Sequence, residues 1–307
     1  MIALDVAKRR SWTPPLIEDV LLGYLPELWA RAECPLDAGA AEASRTAWQA
    51  LCDVGVGGLL VPERCGGQAA GLLDAVAVAW RLSRMPAPLP FVSSAVLATR
   101  LAERVGATSL LTELATGDAV AAVTSGGVLR AVGDRWLLAG VLTDVLHGAD
   151  AEHWIVCTPT ARAATALALL SRPPADLLPD PDGTRPLARA VVQDAQVVHL
   201  GTVPNDELLD VMHQAELIRC AEALGAASFV LRHEQVAAPV LRAARTAVEQ
   251  AAAELDVNGG PVAGLTQARA WTARVARLVR DTPCAGDRRA QLCAMRATGT
   301  SEWLPEA

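Results

Sequence analysis

The thirty residues Gly55–Arg84, GVGGLLVPERCGGQAAGLLDAVAVAWRLSR, constrain the fold of this chain more than any other stretch. Val61 precedes a proline, whose ring drives it to an extended backbone. Gly66 and Gly67 supply the positive φ that a tight corner needs. Beyond the corner, Leu73, Val76, Ala77 and Trp80 recur at i, i+3, i+4, i+7 as one apolar helix face. Met85-Pro86-Ala87-Pro88 ends that helix. The segment therefore reads as a buried helix end, an extended Val-Pro step, a glycine-cornered loop and an amphipathic helix.

Periodicity divides the chain into three textures. Residues 1–115 read as helical, with apolar spacing over Leu16–Glu33, Ala38–Asp53, Leu72–Arg84 and Phe91–Val105. Ser93 and Ser94 are candidate caps for the last of these. Residues 116–204 carry short β-rich runs, at Ala119–Thr124, Arg135–Leu138, His153–Cys157, Ala190–Gln193 and Gln196–Leu200. Turn signals separate them, which predicts a small antiparallel β domain. Ala161–Leu170 is ambiguous, since an alanine-leucine run suits a helix or a buried strand, and its pattern alone leans to helix. Residues 205–307 return to helix over Asp206–Val230, Val240–Val257 and Leu265–Arg280, with Asn205 as N-cap. The tail after Thr282 shows no apolar period, and a shifted reading frame is one account of it.

The 307 residues suffice for two or three packed units. Hydrophobic residues make up 52%, much of it alanine, and no uncharged apolar run reaches membrane-spanning length. The basic residues of MIALDVAKRRSWTPP follow a very short apolar stretch, the reverse of a secretory signal, so a cytoplasmic protein is expected. Net charge is −7, with 27 basic against 34 acidic residues, which argues against nucleic acid. Seven cysteines lie without C-x-x-C spacing, so neither a zinc site nor a redox motif is expected. His147, Asp150, Glu152 and His153 cluster in sequence, but a polar loop gives them no ligand geometry, and no metal is expected.

The run Gly55-x-x-Gly58-Leu59-Leu60-Val61-Pro62-Glu63-Arg64-Cys65-Gly66-Gly67, followed by Gly71-Leu72-Leu73-Asp74, resembles the "G-x-x-G-L-x-V-P-E-x-x-G-G" loop of the acyl-CoA dehydrogenase family. The resemblance implies that family's fold: a helical N-terminal domain, a β-sheet middle domain and, here, a shortened helical C-terminal domain. Helices, then strands, then helices is the same layout. It also implies FAD and an acyl-CoA thioester substrate. A carboxylate takes the α proton while the flavin accepts the β hydride.

Followed further, the resemblance becomes uneven. Val123-Thr124-Ser125-Gly126-Gly127 is similar to the start of the family's first flavin segment, "V-T-E-P-G-x-G-S-D", and lacks its end. Thr124 and Ser125 are thereby the cofactor-binding candidates, although Ser/Thr beside Gly-Gly also simply forms a turn. Leu138–Gly148 resembles "L-x-G-x-K-x-W-I-T-N-G", with Asp144 at the aromatic position and Leu146 at the hydroxyl position. An aspartate neither stacks on a flavin nor favours its reduced anionic form. Leu217–Gly225, LIRCAEALG, matches the family's first C-terminal helix, and Glu216 and Glu222 on that helix are the base candidates. A helix glutamate is equally a solvated or arginine-paired group. Ala273–Thr282 resembles the lead-in to "Q-x-x-G-G-x-G", after which the sequence diverges.

These departures imply a subunit that supports a full-length catalytic partner, with FAD shared between them, and apolar faces of Leu217–Val230 and Val240–Leu255 awaiting cover from that partner. Self-association is the other partnership considered. The alternatives are an autonomous dehydrogenase with an unusual flavin site, and an inactive structural remnant.

Overall fold

The computed structural model describes residues 38–84, 88–160, 163–173, 176–177, 186–258, 263–284 and 287–299. The predicted helix Leu16–Glu33 lies outside them. Four α-helices come first: α1 Ala38–Asp53, α2 Leu72–Ser83, α3 Thr99–Arg104 and α4 Thr108–Thr116. Seven strands follow: β1 Ala121–Ser125, β2 Val128–Val132, β3 Arg135–Leu146, β4 His153–Pro159, β5 Ala164–Ser171, β6 Asp176–Leu177 and β7 Leu187–Pro204. Four more helices complete the described residues: α5 Asn205–Val230, α6 Ala237–Asn258, α7 Ala263–Arg280 and α8 Arg288–Gly299.

The corner between α1 and α2 is closed by its own backbone. Amides of Gln68, Ala69 and Ala70 donate to the carbonyls of Gly58, Val61 and Leu59 at 2.8–2.9 Å. Gly66 takes the left-handed conformation, φ 82°, as expected. Gly67 does not; it is needed for space instead. A Cβ there would lie 2.1 Å from the Val61 carbonyl oxygen. The buried face of α2 is Leu72, Ala75, Val76, Ala79 and Leu82, one step from the expected one: Leu73 and Trp80 are half-buried and Ala77 is exposed. The first turn of α2 is capped from far away. Both carboxylate oxygens of Asp256, on α6, accept from the Leu72 amide at 2.9 and 3.0 Å. Negative charge there is favoured by the helix dipole.

Phe91–Ala98, expected as ordinary helix, is a π-helix that runs into α3. Its serines do not cap it. Ser93 Oγ reaches the Pro90 carbonyl, and Ser94 Oγ accepts from the Ala121 amide of β1. Helix α4 had no counterpart among the expected elements.

The sheet order is β1-β4-β5-β7-β3-β2, with β6 beside β7. It is not purely antiparallel, because β1 runs parallel to β4. Strand β2 was not anticipated, and the two short runs expected at 190–193 and 196–200 are one strand, β7, with a register shift opposite Leu138–Gly140. Ala164–Ser171 is strand, the alternative that its pattern alone did not favour. Its periodicity is hidden because both faces are covered. Trp154, Val156, Ala168 and Leu170 face the main core, while Ile155, Cys157 and Leu167 face Leu101, Leu110, Leu111 and Leu114 of α3 and α4.

Helix α5 is the axis of the C-terminal bundle. Leu217, Ile218, Ala221 and Leu224 are buried, as are Ala244, Val248, Ala251 and Leu255 of α6. The faces expected to await a partner are therefore covered by α2, α6, α7 and α8 of the same chain. Gly225 lets α2 approach closely, since a Cβ there would meet the Trp80 carbonyl oxygen at 2.3 Å. Asn205 is not an N-cap; its side-chain oxygen accepts from Thr165 of β5 at 3.0 Å. The tail also corrects the sequence reading. Arg288–Gly299 is helical, and Ala290, Cys293 and Ala297 recur at i, i+3, i+7 and are buried with Leu292.

Candidate active-site region

The strand segments proposed for flavin meet where β1 ends and β3 bends. Gly127 and Gly140 touch there: a Cβ on Gly140 would lie 2.7 Å from the Gly127 Cα. Strand β3 is bulged against β7 between Leu142 and Val145, which puts Asp144 at φ 55°. Aspartate tolerates that conformation better than most residues. Its carboxylate is exposed and accepts from the Thr143 hydroxyl at 3.0 Å. Val145 is buried, and Leu146 pairs with Leu187.

The two cofactor candidates differ in what they have left to offer. Thr124 is buried and its hydroxyl is directed at the Thr143 carbonyl, 3.4 Å away. Ser125 is exposed. Its neighbour Gly126 spends its amide on the Cys157 carbonyl at 3.1 Å, and its carbonyl accepts from Thr158 at 3.1 Å. The segment thus presents one hydroxyl and one acceptor-only carboxylate, with no aromatic ring at position 144. That donor set does not fit a flavin held by these segments alone.

The base candidates lie on different faces of α5, and each is claimed by an arginine. Glu216 forms a two-pronged ion pair with Arg269 of α7, through Nε and Nη2. The carboxylate holds the Arg269 guanidinium above its usual range, chiefly through those hydrogen bonds. Glu222 is paired with Arg296 of α8 at 3.0 Å, their side chains only 5% and 4% exposed. A guanidinium donates and never accepts, so it fits a charged carboxylate. Between the two glutamates, the Cys220 thiol is pushed up to about 11 by burial, offset in part by hydrogen bonding with Thr272. It stays a neutral thiol.

Neither arginine's role was visible in the sequence. Arg296 fell in the tail that showed no apolar period. The signal for it was available: Cys293 and Ala297 flank it on a helical period. Of the other α7 arginines, Arg274 lies over the Trp271 ring at 5.3 Å, while Arg277 and Arg280 are exposed.

The His147–His153 group is dispersed onto separate partners. His153 meets Ser171 through Nδ1 at 3.1 Å and Glu113 through Nε2 at 3.3 Å. Glu152 accepts from Arg45 at 2.6 Å and from the Val120 amide at 2.8 Å. Among the described residues no set of three or more His, Cys, Asp or Glu side chains is placed to hold a metal ion, and no helix is long and apolar enough to cross a membrane.

Comparison with known proteins agrees with this architecture. Residues 27–125 match the family described as acyl-CoA dehydrogenase, N-terminal domain. Acyl-CoA dehydrogenase IpdE2 of Mycobacterium tuberculosis is 29% identical over 228 residues, which cover 72% of this chain and 63% of that protein. The match thus spans less than two thirds of the relative's length. Among solved structures, the ChsE4-ChsE5 complex from Mycobacterium tuberculosis superposes with a TM-score of 0.76 at 20% identity, covering 94% of this chain and 91% of that one. A chain of the Tcur3481-Tcur3483 steroid ACAD G363A variant gives a TM-score of 0.69 at 16% identity, covering 93% of each. At such identities the structural likeness shows the fold, and the matched N-terminal domain and the IpdE2 similarity supply the lineage. Residues 27–125 are thus similar to the N-terminal domain of acyl-CoA dehydrogenases, and the described residues share the acyl-CoA dehydrogenase fold.

Proposed function

We propose that this chain is a supporting subunit of an acyl-CoA dehydrogenase, joined to a catalytic partner that supplies the base and most of the contacts to FAD. The observation that carries this reading is the state of the two α5 carboxylates. A base must turn a lone pair toward the substrate α carbon. Glu216 and Glu222 instead face Arg269 and Arg296. The strand segments add a second support, because Asp144 stands where the resemblance calls for an aromatic ring. Ser125 is the group this chain offers to a shared flavin. The reaction supported is α,β-dehydrogenation of an acyl-CoA thioester, and the steroid dehydrogenase neighbour favours a fatty or steroid-derived acyl chain. That two of the structural neighbours come from two-component complexes by name favours a hetero-oligomer.

The test is co-expression with a full-length acyl-CoA dehydrogenase encoded nearby, followed by size analysis and a flavin spectrum. The expected result is a yellow complex whose turnover survives Glu216→Gln or Glu222→Gln in this chain. A chain that purifies alone, binds flavin and oxidises an acyl-CoA through one of those glutamates would overturn the reading.

A further inference from the structure

We infer that one ordered water molecule is built into the junction between α1 and the turn that follows β3. Trp48 on α1 is 3% exposed, and its indole Nε1 is buried with no hydrogen-bond acceptor among the described residues. A buried N–H left without a partner is costly. The indole lines a cavity of about 30 Å³, with Ser44, Val120, His147 and Asp150 also on its wall. A water needs roughly 10–15 Å³ of such volume and two or more polar partners.

Both requirements are met here. The indole N–H is one donor. Ser44 Oγ donates to the Pro88 carbonyl at 3.1 Å, which leaves its lone pairs to accept from a water. The Asp150 carboxylate on the same wall disfavours an anion, the Arg45 guanidinium there being already paired with Glu152, and the indole N–H disfavours a cation. An apolar guest would leave the N–H unsatisfied. Such a water is held on α1 by Trp48 and Ser44 and lies against the His147–Asp150 turn, whose residues share the cavity wall, beside the direct clasp of Arg45 on Glu152.

The experiment is an NMR measurement of water-to-indole cross-relaxation on the whole protein, with the Trp48 resonance assigned by Trp48→Phe. The expected result is a cross-peak whose sign reports a long-lived water on the Trp48 indole. Its absence, or an indole bonded to a carbonyl of the chain, would overturn the inference. A second measurement uses Val120→Ile, which adds one methyl group to the cavity wall. Displacing a needed water should abolish the cross-peak and lower Tm by about 2–4 °C. Filling a dry cavity would raise Tm instead, and that outcome also sinks the proposal.

Discussion

The loop from Gly58 to Ala70 and the strand segment from Thr124 to Gly148 both resemble the same family, but they keep different things. In the loop, nearly every position is set by backbone geometry: three amide-to-carbonyl bonds close it, Gly66 sits at φ 82°, and Gly67 lies against Val61. In the strand segment the backbone devices are also present, in the Gly127–Gly140 contact and the bulge at Asp144. The side chains that would do chemistry are what differ. Steric positions and chemical positions thus separate within one molecule, and a scaffold motif speaks to ancestry more than to activity.

The sharpest way to break this contrast is Gly67→Ala. The new methyl would meet backbone atoms of Val61 at 2.1–2.5 Å, which no rotamer change can relieve. The expected loss is more than about 4 kcal/mol, in the range reserved for specific severe mechanisms. A urea denaturation curve close to that of the parent would show that the loop is not sterically closed.

Next in size is Arg296→Met, which asks whether the α5 carboxylates belong with the scaffold. It would leave Glu222 buried without its guanidinium, for a loss of about 3 kcal/mol. Adding Glu222→Leu should restore much of that stability, since removing both charges removes the uncompensated one. If the double variant is as unstable as the single, the pair is not what anchors α8 to α5.

These two positions also show what the sequence made legible. Gly67 was read correctly as necessary and wrongly as to why, because pattern reveals a glycine but not the neighbour pressing on it. Helix spans such as Ala38–Asp53 and Asn205–Val230 followed from apolar period, whereas Ala164–Ser171 did not, because a strand buried on both faces loses its alternation. The faces of Leu217–Val230 seemed to need a partner only because α8 had been discounted. Long-range pairings within the chain, such as Glu216 with Arg269 and Glu222 with Arg296, have separations of 53 and 74 residues. No local pattern encodes them.

A third prediction compares the thiol beside each region. Burial pushes both Cys52, behind the loop, and Cys157, behind the strand segment, up to about 12 from 9.0. The folded state then holds protons that the unfolded state releases first. Stability from these thiols is fully present below pH 9 and drains away as pH rises toward 12. At pH 10 each thiol should account for a loss of about 1.4 kcal/mol relative to pH 8. Cys157→Ala should flatten that alkaline limb of a stability-versus-pH curve. An unchanged limb would mean that the thiol is not desolvated in solution.

The smallest effects come from two residues that share a backbone region and differ in side chain. Gly66 at φ 82° has open space around a built Cβ, and Asp144 sits at φ 55°. Gly66→Ala should cost only about 1 kcal/mol, the penalty of the left-handed conformation itself. Asp144→Gly relieves a similar but smaller penalty and adds the unfolded-state entropy of glycine, about 0.5–1 kcal/mol, so the two nearly cancel. Chemical denaturation should therefore find Asp144→Gly within about 0.5 kcal/mol of the parent. A large loss would give the Asp144 carboxylate a structural duty beyond its bond to Thr143, and the strand segment would then be as tightly determined as the loop. A near-zero change leaves position 144 free of the fold, so that its aspartate is a statement about chemistry alone.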